Sequence, residues 1–287
     1  MTRQTVLQRI LHFFLTKIII GLAVVGALVA LIEIAVRPLL NNTSLTENVK
    51  NIIISVANSA IAVTGYIFLF RLYEKRKINE LSASAFARNA ISGFISGFAL
   101  QAIFIFIIYI AGGYAVIKIN PLSFVIPAFA FALTAGFVAE ILIVGVFFRL
   151  VEEQLGTVIT LIIIAVLFGI LHFNAPGATA RSIIATAIEA GLLIASLYVY
   201  TRSLWVVIFF HFAWDFAEPG IFGGINPGNN VSETLFVSKI TGTTILTGGQ
   251  TGPQNSIQAL LICLFTSFLL LWIAKRKNNF INPFWGK

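Results

Sequence analysis

The chain has 287 residues, of which 58% are hydrophobic and only 10% charged, with a formal net charge of +8 and a mean hydropathy of +0.95. These values exclude an ordinary soluble domain and point to a polytopic membrane protein. The basic residues sit in short loops between apolar runs, where membrane topology accounts for them, so no nucleic-acid partner is expected.

Eight apolar runs have roughly the length needed to cross a bilayer. They fall near residues 17–36, 52–70, 90–111, 122–148, 157–173, 182–200, 203–217 and 256–274. The first follows charges at Arg3, Arg9 and Lys17 without a small-residue cleavage pattern, and reads as an anchor. The segment RLYEKRKINELSASAFAR after the second run reads as a cytoplasmic loop or an interfacial amphipathic element. It divides a first part, residues 1–89 with two spans, from a second part, 90–287, which holds most of the intramembrane polar groups. The fifth and seventh runs are short. A loop rich in Gly, Pro, Asn and Thr, residues 218–255, separates the seventh from the eighth. No internal repeat is visible.

A cytoplasmic N-terminus places fourteen of the nineteen basic residues inside, leaving Arg37, Lys50, Lys118, Arg181 and Lys239 outside. Both termini are therefore expected in the cytoplasm. The single cysteine, Cys263, lies in an apolar run and offers neither a disulfide framework nor a thiolate cluster. The expected fold class is all-α: a bundle of about eight transmembrane helices around a central polar cavity.

Ionisable side chains within such runs are costly and mark candidate sites. Glu140 lies late in the fourth run, His172 near the end of the fifth, and His211 and Asp215 in the seventh. His211 and Asp215 are four apart, on one helical face. At 1.5 Å per residue, Glu140 lies about 13 Å from Arg149, and His211 about the same from Arg202, so the two can meet at one level. His172 comes out deeper towards the outside. A carboxylate with two histidines can polarise water and shuttle its proton. With a metal bound, the same set supplies ligands and a base. Asp215 can orient a histidine or, as the neutral acid, donate to an oxyanion. Phe168, four residues before His172, can pack on the imidazole and fix its rotamer. Glu33, Gln101 and Glu189 carry no motif and read as structural polar contacts. Glu152 and Glu153 read as a solvated helix end, and His12 as interfacial.

On these residues the chain resembles the family of CAAX prenyl proteases and bacteriocin-processing proteins (CPBP, Abi-type), which are intramembrane proteases. The family pattern runs EExxxR, then FxxxH, then HxxxN or HxxxD. Here the second motif is Phe168–Gly–Ile–Leu–His172 and the third His211–Phe–Ala–Trp–Asp215, preceded by TRSLWVVIFF. FAEPGIFGG and LTGGQTGPQNS downstream look like loop features of one bacterial branch, so the resemblance covers roughly residues 125–260. The first motif departs: Ala139 and Glu140 occupy the paired-glutamate positions, and Val144 stands where arginine is expected.

The resemblance implies a multi-pass protein of a bacterial inner membrane. It implies an endopeptidase acting on a membrane-associated peptide or protein, with Glu140, His172, His211 and Asp215 as the catalytic set. It requires no cofactor. It admits a glutamate-activated water and equally a zinc ion held by His172 and His211. The altered first motif implies an alternative: a catalytically impaired member with a binding, immunity or regulatory role. If Glu140 turns away and Ala139 faces the histidines, that alternative gains. A proton path through Glu140, His211 and Glu189 in a transporter is a third reading, disfavoured by the lack of a repeat.

Overall fold

The structure is a computed structural model that describes residues 13–174, 178–224 and 233–286. Arg3, Arg9 and Lys287, counted among the fourteen inside basic residues, and His12, read as interfacial, lie outside the described residues.

Among the described residues, seven helices are long and apolar enough to cross a membrane. They are α1 (Phe14–Asn41), α2 (Glu47–Tyr73), α3 (Phe86–Ile110), α4 (Leu122–Leu171), α5 (Ala180–Thr201), α6 (Leu204–Phe222) and α7 (Ile257–Arg276). The protein is a multi-pass helix bundle. The difference from eight has a local cause. α4 is a run of 50 residues that merges the fourth and fifth apolar runs, but it is broken at Gly156, whose φ of 78° and ψ of 165° are not helical. The two limbs of α4 are the two expected spans.

Local chemistry sets the helix starts. Thr179 and Ser182 form a reciprocal capping box at the start of α5, and Ser256 accepts from the Ala259 N–H at the start of α7. α6 lies at the centre, with 67% of its apolar window buried against 17% for α1. Glycines let its neighbours approach. Cβ atoms added at Gly93 and Gly97 of α3 would meet the backbone of Val206 and Phe210. One added at Gly136 of α4 would lie 2.8 Å from the Phe212 nitrogen. On α5, a Cβ at Gly191 would lie 2.7 Å from the Ala165 Cα. Val25 of α1 and Tyr66 and Phe70 of α2 are fully buried in one cluster with Val146 and Phe148 of α4.

At one end of the bundle, β1 (Tyr114–Ile119) pairs antiparallel with β2 (Phe236–Ile240), Tyr114 opposite Ile240 and Ile119 opposite Phe236. The segment read as an outer loop therefore contains a strand, a short helix at Thr244–Thr247 and two 3₁₀ turns.

The other end carries an ion-pair network. Glu74 binds Lys17 (3.1 Å), Arg76 (2.9 Å) and Arg149 (2.9 Å). Burial opposes ionisation of Glu74, but the three cations outweigh it and hold its carboxyl below its ordinary range. Glu152 corrects the solvated reading: it is 1% exposed, paired with Arg202 at 2.5 Å and accepting from the Thr157 hydroxyl at 2.6 Å. Glu153, paired with Arg149, is the exposed member of the two. The C-terminal segment docks here. Thr157 N–H donates to the Ile281 carbonyl (3.0 Å), Ile281 N–H donates to the Thr157 hydroxyl (2.8 Å), and Arg202 donates to the Asn279 carbonyl.

Candidate active site

α4, α5 and α6 enclose a cavity of about 440 Å³. Its wall includes Phe168 and His172 from the second limb of α4, and His211 and Asp215 from α6. Turns at residues 249–255 contribute Thr251, Gln254 and Asn255.

His172 ends its helix. Its Nδ1 lies 2.9 Å from the Phe168 carbonyl, an oxygen that can only accept, so Nδ1 carries a proton and Nε2 is left for the cavity. The Phe168 ring stacks on the imidazole with planes 12° apart, so the residue expected to fix the rotamer stands beside it.

His211 is held from both sides. Its Nδ1 lies 2.5 Å from Glu140 Oε1, and its Nε2 lies 3.3 Å from Asp215 Oδ2. Both bonds form only if the ring carries two protons or one carboxyl is neutral. Glu140 is fully buried and is absent from the cavity wall, whereas Ala139 is part of it. Its Oε2 has no hydrogen-bond partner among the described residues. Glu140 thus touches the site through His211. Val144 lies in the apolar cluster, 1% exposed.

Glu140 occupies the one residue between two π-helical stretches, Ala135–Ala139 and Ile141–Phe148. Such stretches recur at functional sites because they shift which side chains share a face.

Residues 121–217 match the family model described as type II CAAX prenyl endopeptidase Rce1-like. The resemblance read from the motifs is met over this segment, which contains Ala139, Glu140, His172, His211 and Asp215. No curated protein and no solved structure matches the chain. Within the matched segment, Ala139 lines the cavity and Glu140 is bonded to His211.

The structure brings to the site polar groups that the sequence had not placed in the catalytic set. Glu189, read as a structural contact, lines the cavity and is 5% exposed. Its Oε1 has no partner among the described residues. Glu218, read as the start of a loop, lies in the last turn of α6 and is 1% exposed. Its Oε2 accepts from the Gln254 N–H at 3.2 Å. Gln101, its amide oriented to satisfy both neighbours, donates to Glu218 Oε2 and accepts from Trp214 Nε1. These residues belong to no short motif. For Glu189 and Gln101 the signal available in the sequence was their position inside apolar runs; Glu218 lies just past the end of one.

Proposed function

We propose that the protein is an intramembrane endopeptidase that hydrolyses a peptide bond of a membrane-associated peptide or protein. The observation that carries this reading is the convergence of His172, His211 and Asp215 on one cavity, with His211 clamped by Glu140. His172 Nε2 takes a proton from a cavity water as its oxygen bonds to the scissile carbonyl carbon. Asp215 acts in its neutral form: Oδ2 faces His211 Nε2, which is linked through the ring to Glu140, and the acid's O–H donates to the developing oxyanion. Collapse breaks the C–N bond, and His172 returns its proton to the leaving amine. Glu140, expected to activate water itself, is assigned here to positioning His211. The end that carries Arg149 and Arg202 faces the cytoplasm, with both termini on that side.

Among the described residues, no three His, Cys, Asp or Glu side chains group as a metal site. The donor set does not fit a zinc ion held by His172 and His211, and no step passes through a metal.

A second reading has its own support. Ala139 on the cavity wall and Val144 in the apolar cluster favour a cavity that binds without turning over, as in immunity or regulation. Proteoliposomes with a farnesylated reporter peptide separate the two. Under the first reading, His172→Ala and His211→Ala each lower cleavage by roughly 10²–10⁴-fold without loss of folded protein. Cleavage at an unchanged rate in both variants would sink it. Binding of the peptide by the unmodified chain without turnover favours the second.

A further inference from the structure

The cavity has a distinctive charge balance. Its wall includes Glu189 and Asp215 and, among the described residues, no lysine or arginine. Two imidazoles are the cavity's bases, and both ring nitrogens of His211 already face protein carboxylates. Glu140 Oε2, Glu189 Oε1 and Glu218 Oε1 all lack a partner among the described residues, and of these three carboxylates Glu189 alone lines the cavity. It is 95% buried, counting from its 5% exposure. Asp215 faces His211 and Glu218 faces Gln101 and Gln254.

A buried carboxyl oxygen without a donor is costly, and a ligand that brings an N–H to it removes that cost. A ligand that brings a carboxylate loses that group's hydration and finds no lysine or arginine among the described residues of the wall to replace it. These two effects act in the same direction on the choice of substrate.

Resting on the endopeptidase reading, we propose that Glu189 is a specificity-determining residue that receives an N–H donor from the substrate, best supplied by a lysine or arginine side chain beside the scissile bond. The cavity rejects a peptide whose free C-terminal carboxylate would enter it. The substrate class is then an internal, basic stretch of a membrane-associated polypeptide, and not a carboxyl-terminal tripeptide.

The test uses the full chain in nanodiscs and three fluorescent farnesylated peptides that differ only beyond the prenylated cysteine. One ends in a carboxylate, one in an amide, and one is the amide with a lysine two residues after the cysteine. Dissociation constants come from anisotropy, and products from mass spectrometry of the same samples. The amide is expected to bind roughly tenfold more tightly than the carboxylate, and the lysine peptide roughly tenfold more tightly again. Glu189→Gln should bring the lysine peptide to within about twofold of the plain amide, and Glu189→Asp should restore most of the preference, provided both variants melt like the parent. Equal binding of carboxylate and amide, a lysine preference that survives Glu189→Gln, or no binding of any peptide overturns the proposal. The expected preferences without cleavage uphold it and count against the endopeptidase reading. Cleavage without the preferences does the reverse.

Discussion

His211 accounts for most of the site's geometry, because two carboxylates on different helices fix one ring. Glu140 reaches Nδ1 from α4, and Asp215 reaches Nε2 from the next turn of α6. Removing Glu140 leaves the imidazole without its orienting acceptor. Glu140→Ala should lower the rate of cleavage by about 10²-fold with KM little changed, and Glu140→Gln, whose amide oxygen still accepts from Nδ1–H, should recover part of that loss. Steady-state kinetics on both variants check this. Glu152 gives a stability counterpart. It is 1% exposed with Arg202 as its ion partner, so Arg202→Ala should cost about 3–5 kcal/mol, read as a lowered midpoint in denaturant. At this scale the sequence was readable where a charged type stood out against apolar neighbours, as with His172, His211 and Asp215. It was unreadable where the partner is remote. Arg202 lies fifty residues from Glu152, and nothing local to Glu189 showed that it would face a cavity.

The helices were legible as apolar runs, since length and hydropathy alone decide whether a segment can cross a bilayer. How they pack was less legible. Gly93 and Gly97 form a G-x-x-x-G pair that sets α3 directly on the α6 backbone, the spacing that lets membrane helices approach closely. Gly97→Leu should push α3 off the helix that carries His211 and Asp215. The expected outcome is a loss of folded yield in detergent, with Gly26→Leu as the control, since a Cβ at Gly26 meets nothing within 4 Å. The π-helical stretches at Ala135–Ala139, Ile141–Phe148 and Ala187–Leu193 have no composition signature, and the first two meet where Ala139 lines the cavity and Glu140 meets His211. The β1–β2 pair was hidden for another reason. Its strands lie more than a hundred residues apart, and neither has neighbours that would form a hairpin.

Across the whole molecule, the ion pairs at one end tie α1, α2 and α4 together through Glu74. Its carboxyl is held below the ordinary value of 4.5, so it stabilises the fold fully above that pH, and the contribution is lost as pH falls through the lowered value. Thermal unfolding in detergent should show the parent losing more stability than Glu74→Gln between neutral pH and about pH 3, while the variant is already less stable at neutral pH. The same end holds the docked C-terminal segment. A Cβ at Gly156 would lie 2.8 Å from the Pro283 nitrogen, so the break in α4 and the segment that covers it are mutually fitted.

That fit has a consequence for the order of assembly. Thr157 and Ile281, which bond to each other, are 124 residues apart in the chain. At 5–20 residues per second, synthesis delivers the second roughly 6–25 s after the first. For that interval the two limbs of α4, with His172 on one and Glu140 on the other, are joined by a glycine whose covering backbone has not yet been made. The joint at Gly156 closes only after α7 has been made.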